Sequence, residues 1–188
     1  MKLALIDRGA FDNEHLVLPR TNYDVDIDNN SPRPGQQAFE KMIAGYYLGE
    51  VFRLVLLDLH SQGRLFEGKD LSELREPYAL DTSVLAEIES DPFENLVETG
   101  EMFQQRFKLE TTEPELRLIR RLAELIGERA ARLSACGVAA IVKKKNIQVL
   151  PYLRMGFPVF PFSNVITCFI LNLLFHIARI KILWNYRS

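Results

Sequence analysis

SPRPGQQAFEKMIAGYYLGEVFRLVLLDLH, residues 31 to 60, is the stretch around which the chain is organised. Pro32, Pro34 and Gly35 make an irregular entry, and Pro34 suits a first helical turn, where its missing N–H has no partner to lose. The spacing predicts one helix from there to about His60. Phe39, Met42, Ile43, Tyr46, Tyr47 and the run Leu54, Val55, Leu56, Leu57 and Leu59 make it apolar on most sides, as in a helix enclosed by protein. Its polar residues therefore need reasons. Gln37 and Glu40, three apart, share a face of the first turn, where a carboxylate also gains from the helix dipole. Taken alone, the pair reads more readily as an ordinary first-turn acid, Glu40, beside a solvated neighbour, Gln37, than as a binding pair.

Working outward, Leu3 to Phe11 reads as a short strand, with Gly9 towards its end permitting close backbone approach. Asp12 to Asn30 is polar and turn-rich and reads as a surface loop. Its aspartates at 24, 26 and 28 lack the glycine and terminal glutamate of a calcium loop. Ser61 to Thr82 is a connector with a short helical turn near Leu71 to Arg75 and a break at Pro77. Asp81 or Thr82 caps a following helix with Val84, Leu85 and Ile88 inward. Asp91 and Pro92 open another, through Phe93, Leu96, Met102, Phe103 and Phe107. Thr112 and Glu115 have capping-box spacing around Pro114, and a long helix follows to about Lys144. Gly127, Ala130, Ser134 and Gly137 recur on that helix at spacings that let another backbone come close.

The composition narrows the classes. In 188 residues, 23 basic and 25 acidic side chains give a net charge of -2, with no basic stripe of the kind that tracks nucleic acid. Cys136 and Cys168 fit neither a disulfide framework nor metal-ligand spacing, and His15, His60 and His176 are too dispersed for zinc. No metal site is expected. A reducing compartment is the default, and no signal peptide is read at the start, where Asp7 interrupts a short apolar run.

GAFDNEHLVLPRTNYDVDID, PGQQAFEKMIAGYYLGEVFRLVLLDLH, DPFENL and LIRRLAELIGERAARLSACGVAAI, ungapped and in this order, closely resemble the fungal hexokinases, from about Ile6 to Asn146. The resemblance implies an α/β ribonuclease-H-like, actin-like ATPase fold, of which this piece is a mostly helical part of the large lobe with a short N-terminal strand. It implies ATP-dependent phosphorylation of hexoses such as glucose at the 6-hydroxyl, the first step of glycolysis, with Mg2+ and in the cytoplasm. Glu40 and Gln37 match sugar-binding positions. Asp7 stands where the family has a sugar-binding glutamate, one methylene longer, and Arg8 stands where it has an aromatic residue. Gly45, Tyr46, Thr82 and Ser83 match positions beside the bound nucleotide. The family's general base belongs to a segment that precedes these motifs, so no catalytic residue is assigned.

Residues 1–146 thus read as a partial hexokinase domain and 147–188 as an unrelated apolar tail. Met155 to Ala178 carries no formal charge over 24 residues, long enough to cross a bilayer. Two early prolines, Asn164, Asn172 and His176 count against an anchor, and basic residues at both ends specify no orientation. A truncated or misassembled reading frame is the preferred expectation over a membrane segment. The alternative is a non-catalytic, interacting or tail-anchored protein derived from a hexokinase.

Overall fold

The computed structural model describes residues 9–144, and its regular structure over that range is helical. Seven helices follow in order: α1 (Asn22–Asn30), α2 (Ala38–Ile43), α3 (Gly45–Ser61), α4 (Ser72–Arg75), α5 (Thr82–Ser90), α6 (Val97–Phe107) and α7 (Glu113–Lys144). The described residues up to Ala130 form one compact unit, and a second starts at Ala131, of which only the end of α7 is described. Leu3 to Arg8, and with them Asp7, lie outside the described residues, as does the 147–188 tail. The described end of the expected strand, Gly9 to Phe11, is turn. No helix among the described residues is long and apolar enough to cross a membrane.

Within the first unit α3 is the element on which α1, α2, α4 and α5 pack. Val51, Phe52 and Leu56 of α3 meet Ile27, Leu65, Phe66, Leu74, Leu80, Val84, Ile88, Phe103 and Ile119 in one apolar cluster. Each such side chain contributes about 1.5–3 kcal/mol on leaving water. The enclosed helix expected from the sequence is therefore present, but it is broken. Ala44 is extended (φ −74°, ψ 137°), and its N–H closes α2 on the Glu40 carbonyl at 2.8 Å before α3 starts afresh at Gly45.

Two other elements differ from the sequence reading. The polar stretch read as a surface loop contains α1, capped by Thr21: the Asp24 carboxylate accepts from the Thr21 N–H at 2.7 Å, and the Thr21 hydroxyl receives the Asp24 N–H. Asp24 and Asp28 are four apart, share the buried face with Ile27, and are paired to cations, Asp24 to Arg129 at 2.7 Å. The helix expected from Asp91 starts only at Val97. Asp91 folds back and accepts from the Thr99 N–H and hydroxyl, both at 2.8 Å, which holds the loop before the helix. At α7 the expected cap is present, with Glu115 accepting from the Thr112 N–H at 2.8 Å.

Candidate functional site

Gln37, Glu40 and Gly9 come together from two segments. Gly9 presents its carbonyl to the start of α2, accepting from the Phe39 and Glu40 N–H groups at 3.1 and 3.4 Å. The α2 N–H groups have a second acceptor in Asn13, whose Oδ1 takes the Ala38 N–H at 3.1 Å. Gln37 stands in the left-handed region (φ 56°) just before α2, so it lies outside the first turn that the sequence assigned to it. Its side chain nevertheless converges with that of Glu40. A β-carbon on Gly9 would collide with Gln37 Oε1 and would lie 2.7 Å from Glu40 Oε2. A carboxamide and an exposed carboxylate thus project over a bare backbone, a set of donors and acceptors suited to a polyhydroxylated ligand.

This corner is anchored by charge in the layer beneath. Lys41, the neighbour of Glu40, points inward and donates to Asp28 Oδ1 at 2.6 Å and to the Arg33 carbonyl at 2.7 Å. Asp28 also accepts from Gly35 N–H at 3.1 Å and from Arg20 at 3.3 Å. Burial pushes the Asp28 carboxyl up, but the Lys41 hydrogen bond, the Gly35 N–H and the two cations outweigh it and hold it below the ordinary range. The loop entering α2 is therefore tied to α1. In front of the corner, Asp12 accepts from the N–H groups of Leu16, Val17 and Leu18 at 2.7 to 3.1 Å, fixing the turn that follows Gly9.

One helix break away lies the second group. Residues Tyr78 to Thr82 run over the first turns of α3. The Thr82 hydroxyl donates to the Gly45 carbonyl, and Gly49 sits so close under the Leu80 carbonyl that a β-carbon there would collide with it. Tyr46 stacks on Tyr78 with centroids 5.1 Å apart and planes at 29°. Asp81 caps α5, accepting from the Ser83 N–H at 2.6 Å, and its bonds to Ser83 lower its pKa. The starts of α3 and α5 therefore meet at Gly45 and Thr82, which brings the positive ends of two helix dipoles to the same place. Tyr47 faces both groups: burial first, and then the Glu40 and Tyr46 charges, push its phenol up.

The sequence-assigned residues thus form two neighbouring clusters, Gln37 with Glu40 and Gly45 with Tyr46, Thr82 and Ser83. Sequence reading missed Asn13, Asp28, Lys41 and Tyr78, which support them. Two signals pointed that way, the charged residues on a helix apolar elsewhere and the four-residue spacing of Asp24 and Asp28. A separate open cleft of about 560 Å³, lined by Tyr23, Asp26, Leu54 and Asp58 among others, includes none of the assigned residues.

A family model for hexokinase matches residues 6–155. The chain belongs to the hexokinase family. A hexokinase of Schwanniomyces occidentalis is 66% identical over 138 residues, covering 73% of this chain and 29% of that relative. Hexokinase-1 of Saccharomyces cerevisiae is 64% identical over 138 residues, covering 73% and 28%. The chain therefore spans under a third of the length of these hexokinases. Among solved structures, a hexokinase from Schistosoma mansoni complexed with glucose matches 88% of this chain and 37% of its own, at 28% identity and a TM-score of 0.68. The fold is accordingly that of the hexokinases, within the actin-like ATPases, and the described residues supply helical structure to it.

Proposed function

We propose that this chain carries the hexose-facing corner and part of the nucleotide-facing wall of a cytoplasmic hexokinase, which transfers a phosphoryl group from magnesium-ATP to the 6-hydroxyl of glucose or a related hexose. Residues 1–146 are the part assigned to that enzyme, and 147–188 the tail. The observation that carries the reading is the convergence of Gln37 and Glu40 over Gly9. Glu40 accepts from sugar hydroxyls as a carboxylate, and Gln37 both donates and accepts, which orients the ring without any group ionising. Asp7, outside the described residues, is assigned to sugar binding on the resemblance alone. The glucose in the Schistosoma structure supports the choice of ligand.

Gly45, Tyr46, Thr82 and Ser83 are assigned to the nucleotide, where the start of α3, which no side chain caps, favours a phosphate. Among the described residues no three His, Cys, Asp or Glu side chains are grouped as a metal-holding cluster. Magnesium enters on this reading with the triphosphate, and no ligand to it is assigned here.

The test is a chimera in which residues 9–144 replace the matching segment of the Saccharomyces enzyme, assayed for glucose phosphorylation with and without Glu40→Gln. A charge-assisted hydrogen bond is worth about 1.5–3 kcal/mol, so the substitution is expected to cost tenfold or more in kcat/KM for glucose. An active chimera with unchanged kinetics after Glu40→Gln removes Glu40 from the site.

A further inference from the structure

Glu50 and Arg53 of α3 take no part in either cluster described above, yet they are 6% and 5% exposed. The guanidinium meets the carboxylate on two bonds, Nε to Oε2 at 2.7 Å and Nη2 to Oε1 at 2.6 Å. A buried pair of this kind returns little more than its desolvation costs, and apolar residues of similar volume would stabilise the same place as well. Its remaining valences indicate what it does. Arg53 Nη1 donates to the Leu74 and Arg75 carbonyls at 3.2 and 3.1 Å, and Glu50 Oε2 accepts from the Tyr78 N–H at 2.7 Å. All three bonds hold the segment that leads into Tyr78.

Tyr78 stands at φ +60°, a conformation disfavoured for a residue with a side chain. The bond to Glu50 fixes it there, and in that conformation its ring backs Tyr46. Tyr46 also receives Tyr47 edge-on at 5.1 Å and is still 69% exposed. An aromatic ring held from two sides and left open to solvent offers a flat, pre-arranged surface.

We infer that Glu50 is a positioning residue: through the Tyr78 amide it holds the Tyr46–Tyr78 stack as a rigid aromatic platform against which the purine base of the nucleotide packs. The inference rests on the assignment of Gly45, Tyr46, Thr82 and Ser83 to the nucleotide, and adds the base-recognition element and its support. Glu50 touches no ligand; it acts only through Tyr78.

The experiment uses the 188-residue chain, titrated by calorimetry with magnesium-ATP and with magnesium-tripolyphosphate, which lacks the base. Glu50→Met, Tyr78→Leu and the double variant are compared, each checked for folding by circular dichroism; methionine has no acceptor for the Tyr78 N–H. Tyr78→Leu leaves the ion pair in place, so it decides the matter if Glu50→Met does not fold. The expected result is that each single change weakens ATP about tenfold, on the scale of one lost base–aromatic stack, while tripolyphosphate is unaffected. The double variant should be no weaker than the singles, because both act on one platform. ATP binding that survives Tyr78→Leu, equal weakening of both ligands, or additive losses in the double variant overturns the inference alone. No ATP binding by the unsubstituted chain overturns the nucleotide assignment along with it.

Discussion

Replacing Asp28 by asparagine is expected to destabilise the first unit by about 3 kcal/mol. The magnitude follows from the surroundings: the Asp28 and Lys41 side chains are 8% and 6% exposed and meet at 2.6 Å. Removing one charge of a buried pair costs about 3–5 kcal/mol, because the other is left without compensation. The lower end applies here, since Lys41 keeps the Arg33 carbonyl at 2.7 Å and asparagine keeps one acceptor oxygen. For a chain of this size about 3 kcal/mol lowers Tm by roughly 6–12 °C, measurable by far-UV circular dichroism. Lys41→Met in the same background removes the stranded ammonium and should restore part of the loss. The pH dependence has a definite sign. The folded Asp28 carboxyl lies below its ordinary 3.8, so its contribution is complete above that value and fades as pH falls through the folded pKa. The difference between wild type and Asp28→Asn should therefore shrink in acid. An asparagine variant that melts within 2 °C of wild type at neutral pH (roughly 1 kcal/mol or less) would refute the reasoning.

Three further outcomes are expected. Gly9→Ala should cut glucose affinity in the chimera at least tenfold while moving Tm little, because the new methyl meets only the flexible ends of Gln37 and Glu40; equal glucose affinity would mean that the corner is not the sugar site. Tyr23 donates to Asp58 at 2.6 Å, and this bond, then burial, pushes its phenol up to about 12, while the same bond lowers Asp58. The bond's stabilisation is thus full between roughly pH 4 and 10 and lost as pH rises toward 12 or falls into acid, so the Tm difference from Tyr23→Phe should be flat over that range and vanish outside it. The 188-residue chain alone should form no sugar 6-phosphate from glucose or fructose with magnesium-ATP, since no base for the hydroxyl proton is assigned in it; turnover abolished by Glu40→Gln would overturn that expectation.

The parts of this fold that the sequence made legible are those where one local device decides the outcome. Asp81 caps α5 and Glu115 reaches back to Thr112, each over two or three residues, and Val84, Leu85 and Ile88 turn inward at helical spacing. The break at Ala44 carries no comparable mark. Its residues, Met42-Ile43-Ala44-Gly45-Tyr46, suit a continuous helix, and what interrupts them is distant in sequence: the Gly9 carbonyl holds the start of α2, while Thr82 and the Leu80 backbone hold the start of α3. Helix α1 was hidden for a related reason. Its aspartates suit a loop until Lys41 and Arg129 arrive from 13 and 105 residues away to neutralise the buried pair.

The same distinction separates what was legible of the candidate site from what was not. Glu40 and Gln37 stood out as polar residues on an otherwise apolar stretch and were assigned through the resemblance to the hexokinases; the structure brings their side chains together over Gly9. The residues that set their positions are inconspicuous one at a time. Lys41 reads as a surface cation beside Glu40, and only its 2.6 Å contact with Asp28 reveals that it points the opposite way. Because successive helical residues diverge by about 100°, a charge buried at Lys41 turns the adjacent carboxylate outward. The exposure of Glu40 is thus a consequence of the burial of its neighbour, and a change at Asp28 or Lys41 should reach the Gln37–Glu40 corner through the orientation of α2 as well as through stability.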